Sequence, residues 1–565
     1  MRLSAIVVFL FVGILTGCGG GAGRDSSSTL VVPPDTVSET DPTPAPTPTP
    51  TILPAPDPTT AVTISGSVTY DRVPQQENGA LDYDAIVQLP VRGATVQLLN
   101  SEGEVVSAGI TDNEGSYSLL SSPEIDIRVS VSAQLLQEDG PLWNVRVVDN
   151  TELGALYAHQ GELINSGASD STRNLHAASG WTGSGYGEER VAAPFAILDS
   201  VYESLQLLLN LDANIDFGEL ELNWSPNNTT DDGDFAIGEI GATQYIDGTI
   251  FILGQENQNT DEYDSTVIQY EVMHYMQDNL IRSDISNAPV PFDGQHDMRV
   301  AFGEGLALAL AVMSSGSDLF RDSYGDQQSM GTSFSLENQN AVRPGWYSIN
   351  SVAEIIFDIV DADTTDDDDL DLGVEAIFQA LNSEIYNLSQ ARTSIFLFTE
   401  ALKSELSDSQ LQALENILRS HDIFGTDEFG SGEINDGDFA DALPLYNELG
   451  VGESINVCGD AIGGLEFGFG VRRLVLLNAV PEGTYSLELT KTFGNKDSDP
   501  DVLIFSGSES FHSQELSSTE VDREFGEITI SSSSDSYLLE IIDFTNVFAE
   551  SSDVGLSCFD VSLFN

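Results

Sequence analysis

The stretch from Thr260 to Ala309 constrains this chain more than any other. It reads TDEYDSTVIQYEVMHYMQDNLIRSD and, after a short interval, AFGEGLALA. Taken as a helix, its first part puts Tyr270 and His274 four residues apart on one face, with Glu271 beside the first. Two ligand-type side chains at i and i+4 can grip one metal ion, and the adjacent carboxylate can polarise a water bound to it. A second apolar helix follows and carries Glu304, which suits a third, carboxylate ligand supplied from a neighbouring helix. The weak position is Tyr270. A phenol with a pKa of about 10 must ionise before it binds a metal well, whereas a neutral imidazole needs no such step.

At 565 residues the chain has room for several domains, each with its own core. Acidic residues number 91 against 20 basic ones, a net charge of −71. That excludes a basic nucleic-acid groove and electrostatic adhesion to anionic lipid. Carboxylate-rich loops leave calcium open as a second cofactor. The run 366–369 and the loop 426–438 are its candidates, although neither has EF-hand spacing.

The opening MRLSAIVVFLFVGILTGC has one early charge, an apolar run and a small-residue end, the pattern of a secretory signal peptide over residues 1–18. Three cysteines occur in all. Cys18 ends the signal, and in an exported chain Cys458 and Cys558 are expected to pair as a disulfide. No thiol remains for a thiolate metal site or a cysteine nucleophile. Residues 19–61 are rich in Pro, Thr and Ser, including PTPAPTPTPT, and form an extended stalk rather than a core. Residues 62–147 alternate apolar and polar positions between turns, as a β-sandwich does. Residues 148–450 turn mainly helical, with periodic segments at 192–209, 300–313, 352–360, 374–381 and 394–402. Two short strands, LELNWS and GTIFILG, come just before the Tyr270 helix. From 455 to the end strands return, as a second β-sandwich. The fold class expected is therefore multidomain: a β-sandwich, a mostly helical α+β domain, then a C-terminal β-sandwich.

Several blocks carry a resemblance. Leu15-Thr16-Gly17-Cys18 resembles a bacterial lipobox, which implies lipidation of Cys18, with Gly19 after it implying the outer membrane. PVRGATVQLLNSEGEVVSAGITDNEGSYSL resembles the carboxypeptidase regulatory-like (transthyretin-like) domain, and DSDPDVLIF resembles the pre-peptidase C-terminal β-sandwich. SGWTGSGYGEERVAAPFAILDSVYESLQ, the Tyr270 helix, DMRVAFGEGLA, PGWYSINSVAEIIFDIVD and GTDEFGSGE together resemble bacterial secreted or lipoprotein zinc metallopeptidases of the gluzincin, zincin-like type. That family's helix reads H-E-[YF]-G-H. The resemblance implies Zn2+ at the positions of Tyr270, His274 and Glu304, with Glu271 as catalytic base. This chain departs from the family at Tyr270, at Met273, and at Ile349, where an acidic residue is expected.

Of the other histidines, His159, His176, His296, His421 and His512, only His296 stands near enough in sequence to Glu304 to substitute as a ligand. No G-x-S-x-G elbow offers a serine nucleophile. Two functional readings stay open. One is a lipid-anchored surface protein, catalytically impaired, that binds an extracellular protein or polymer. The other is an active zinc endopeptidase with an atypical ligand set. A purely structural spacer is a third class, less consistent with Glu271, His274 and Glu304 being kept together.

Overall fold

The computed structural model describes residues 52–138, 140–285, 287–338, 341–360, 370–477, 480–494, 496–518, 521–532, 536–548 and 554–565. The expected signal peptide with Cys18, the stalk up to residue 51 and the 366–369 run lie outside the described residues. No helix among the described residues is long and apolar enough to cross a membrane.

The front segment folds as two sheets, in keeping with its alternating pattern. Strand Val62–Arg72 pairs antiparallel with Ser116–Ser121 and Val87–Pro90. A larger sheet contains Val105–Ile110, Ala94–Asn100, Asp126–Gln137 and Trp143–Asp149 in that order. This sheet does not stop at residue 147. Trp143–Asp149 pairs in parallel with Gly218–Trp224, which pairs in parallel with Thr249–Ile252, and Gln244–Ile246 closes the edge antiparallel. The expected boundary at 147/148 thus falls inside one continuous sheet. One apolar core accordingly runs from Ile64 and Val96 in the front segment through Leu222 and Ile250 to the helices behind.

The periodic segments form helices α1 (Ala193–Leu211), α2 (Ser265–Leu280), α3 (Met298–Ser314) and α4 (Ile349–Asp358). Further helices follow at Val374–Asn382, Ile395–Lys403 and Asp408–Ser420, the last not anticipated from its polar composition. Two glycines let α3 sit close to its neighbours. A Cβ on Gly303 would meet the Ile285 carbonyl oxygen at 2.5 Å, and one on Gly305 would meet Val352 Cβ at 2.7 Å. The Gly-Glu-Gly run is therefore a packing requirement that also fixes where Glu304 points from.

The C-terminal sandwich begins at Tyr446–Leu449, earlier than residue 455. It joins that strand to Arg472–Leu477, Tyr537–Asp543, Pro500–Ser506 and Gln514–Leu516 in one sheet. The facing sheet holds Glu453–Gly459, Ser557–Phe564, Gly483–Phe493 and Arg523–Ile530. Leu487, Leu489, Ile504, Leu539 and Val561 fill the space between them as a separate core. Cys458 and Cys558 are bonded and stand opposite each other in the ladder. The bond joins the sandwich's second strand to its last, rather than its first to its last. Closing a loop of 100 residues should stabilise this unit by about 4–5 kcal/mol in the chain-entropy account. Reduction is expected to lower its denaturation midpoint accordingly. A loss below about 1 kcal/mol would show that the ladder alone holds the edge.

Candidate functional site

Helices α2 and α3 bring Tyr270, His274 and Glu304 together, as the spacing requires. His274 Nε2 lies 3.3 Å from Glu304 Oε2, and the Tyr270 hydroxyl donates a hydrogen bond to that same oxygen. The other oxygen, Oε1, accepts the Ala288 N–H at 2.5 Å. The phenol and imidazole rings meet edge to face, with centroids 4.5 Å apart. Glu271 does not join this group through its Oε2, which accepts the backbone N–H of Tyr245 at 2.7 Å. Tyr245 belongs to the edge strand of the large sheet, so Glu271 ties the helix to that strand.

All four side chains are shut away. Exposure is 1 % for Tyr270, 0 % for Glu271 and His274, and 2 % for Glu304. Met273 and Ile349 are buried too, the latter in the first turn of α4. An aromatic wall covers the phenol: Phe292 lies edge-on to Tyr270 at 5.7 Å and Phe320 at 6.3 Å. Phe320 stacks on Phe334, its register partner across the hairpin formed by Leu319–Tyr324 and Met330–Ser335. Sequence reasoning missed this cover. Its residues come from three separate places in the chain, and alternating Phe in a short hairpin reads as ordinary strand packing.

A tetrahedral zinc site needs deprotonated donors and one position open to water. Here the phenol donates a hydrogen bond to Glu304, and both oxygens of that carboxylate already accept hydrogen bonds. Burial leaves no open position. The residues therefore do not fit a catalytic zinc ion, in contrast to what the family resemblance implies. His296 does not substitute. It is fully buried, its Nε2 bonds the Pro291 carbonyl at 2.8 Å, and burial holds its pKa below the ordinary value. The 426–438 loop does not gather its carboxylates on a cation either. Glu433 accepts the N–H groups of Phe424, Gly425, Ile434 and Asn435, and Asp427 those of Phe429 and Ser431.

No family model matches the chain, and no curated protein does. Among solved structures, it is similar to the pre-peptidase C-terminal domain of a collagenase from Bacillus anthracis. Identity there is 13 %, over 21 % of this chain and 93 % of that one, with a TM-score of 0.16. It is also similar to PliG of Aeromonas hydrophila, a periplasmic inhibitor of g-type lysozyme, at 11 % identity over 21 % and 96 % of the chains, TM-score 0.14. A 9R-lipoxygenase from Cyanothece PCC8801 matches at 10 % identity over 30 % and 27 %, also at a TM-score of 0.14. Scores this low assign neither family nor function, so the chemistry of the site has to carry the functional reading.

Proposed function

We propose that this is an exported, lipid-anchored surface protein whose middle segment keeps the scaffold of a gluzincin-type metallopeptidase without its chemistry. In this reading it binds an extracellular polypeptide or polymer and does not hydrolyse it. Cys18 would carry the anchor in the outer membrane, and the 19–61 stalk would hold the folded part away from the lipid. The observation that supports the reading is the Tyr270 hydroxyl bonded to Glu304 inside a buried, aromatic-covered site. The excess of carboxylates, 91 against 20 basic residues, favours neutral or basic partners and disfavours nucleic acid.

The alternative, a zinc endopeptidase using Tyr270 as a ligand, draws support from one distance, the 3.3 Å between His274 Nε2 and Glu304 Oε2. Metal analysis of the purified full chain, with no zinc added, separates the two. The expected result is well under one zinc per chain and no chelator-sensitive peptidase activity. Stoichiometric zinc together with peptide cleavage would replace the binding reading with the enzymatic one.

A further inference from the structure

At the start of α2, Asp261, Asp264 and Asp322 bring one carboxylate oxygen each within 4.8 Å of one another. The first two come from the turn before the helix, and Asp322 from the hairpin that covers Tyr270. Asp264 holds the N-cap position of α2 but makes no capping bond to the helix. Its carboxylate turns instead to the Ser323 N–H at 2.8 Å, the Ser323 hydroxyl at 2.8 Å and Gln75 Nε2 at 2.8 Å. Asp261 accepts the Thr243 hydroxyl on Oδ2.

Two further facts point to a missing cation rather than to a solvated acidic patch. First, no ion pair among the described residues holds any of the three carboxylates: Arg72, the one cation that acts on Asp264, spends its guanidinium on the Tyr263 carbonyl and the Ser265 hydroxyl. Second, Asp261 is only 2 % exposed, yet its Oδ1 meets no donor, and neither does Oδ1 of Asp322. Next to them Gln328, 1 % exposed, donates from Nε2 to the Ser323 carbonyl and hydroxyl at 3.0 and 3.1 Å, while its Oε1 accepts from nothing. Burial, then repulsion from the neighbouring acids, pushes the Asp261 and Asp264 carboxyls well above the usual range; burial pushes Asp322 up to about 7. Crowded buried carboxylates are costly unless a cation meets them.

We propose that Asp261, Asp264 and Asp322 bind a calcium ion that fastens the 319–335 hairpin to the start of α2. The site presents only oxygen, from carboxylates with an amide and hydroxyls nearby, which suits a hard cation and not zinc or copper. Thr266 already joins the same two elements, its hydroxyl donating to the Arg321 carbonyl at 2.8 Å and accepting the Arg321 N–H at 2.9 Å. The ion would add charge neutralisation to that junction. The consequence is local to the cover: Phe320 and Phe334 stay over Tyr270 as long as the ion is held.

The test uses the full chain stripped with EDTA and titrated with CaCl2, alongside Asp322→Asn and Asp261→Asn. Calcium about 100-fold above its Kd should raise the wild-type Tm by roughly 3 °C. Each variant should bind one calcium fewer per chain and lose most of that rise. Hydrogen exchange in residues 319–335 of the wild type should slow at least about ten-fold on adding calcium, a readout that needs no variant to fold. Equal calcium stoichiometry in wild type and both variants would overturn the assignment. So would an Asp322→Asn protein more stable than wild type at every calcium concentration, because relief of repulsion alone gives that result. Unchanged exchange in the hairpin would overturn it as well. The zinc measurement is independent of all these outcomes.

Discussion

Tyr270→His is expected to turn a protein that holds little zinc into one that binds it tightly, without making it a peptidase. His274 and Glu304 already converge at 3.3 Å, so the substitution supplies the one ligand lacking. Four-ligand structural zinc sites are worth about 10–16 kcal/mol, or roughly 3 kcal/mol per ligand, so affinity should rise about 100-fold or more. Removing the phenol also frees Glu304 Oε2 from its present donor. Hydrolysis is a different matter. Glu271 remains bonded to the Tyr245 N–H, and Phe292 and Phe320 still cover the site. Zinc titration by calorimetry and a peptidase assay read the two halves separately. Adding Glu271→Gln to the Tyr270→His protein should leave the metal in place. A Tyr270→His protein with no gain in zinc affinity would show that these side chains cannot serve as a ligand set.

The second large effect is expected at the start of α3, where the C-terminal sandwich meets that helix. Arg299 in the first turn of α3 reaches Glu540 at 2.9 Å and Asp297 at 2.8 Å, and Arg472 meets Glu540 at 2.8 Å. Arg299, Asp297 and Glu540 are each less than a tenth exposed. Truncating Glu540 to Ala leaves two arginines facing each other in a dry interface, which should cost about 3–5 kcal/mol. Urea denaturation measures it, and a loss under about 1 kcal/mol would show the interface to be hydrated. Acid should reproduce part of the effect. Burial raises the Glu540 carboxyl, but Arg299, Arg472 and Arg392 draw it below its ordinary 4.5, and Asp297 falls to about 2. With folded values depressed, the stabilisation is complete above about pH 4.5 and is lost as pH falls through the folded values.

Much of this was legible in the sequence because it rests on local periodicity. The 3.6-residue spacing marks α1 to α4, and the i, i+4 rule puts Tyr270 beside His274 on α2. What the sequence hid depends on residues far apart in the chain. Glu271 reads as a base by position, and only the approach of the edge strand Gln244–Ile246 shows that its Oε2 also ties α2 to the large sheet. Asp261 and Asp264 are visible as D-E-Y-D, but the pair means little until Asp322 arrives from the hairpin. The helix at Asp408–Ser420 escaped because its buried face is only Ala413, Leu414, Ile417 and Leu418 within a polar run.

The parallel pairing of Trp143–Asp149 with Gly218–Trp224 bears on how such a chain can have been assembled by recombination. A crossover point between those strands would deliver to its new host a front module with an unpaired edge strand whose Val145, Val147 and Val148 are buried here. Such an edge invites aggregation with any other exposed strand. Gene fusions that survive should therefore carry the front sheet and the α2–α3 segment as one heritable block.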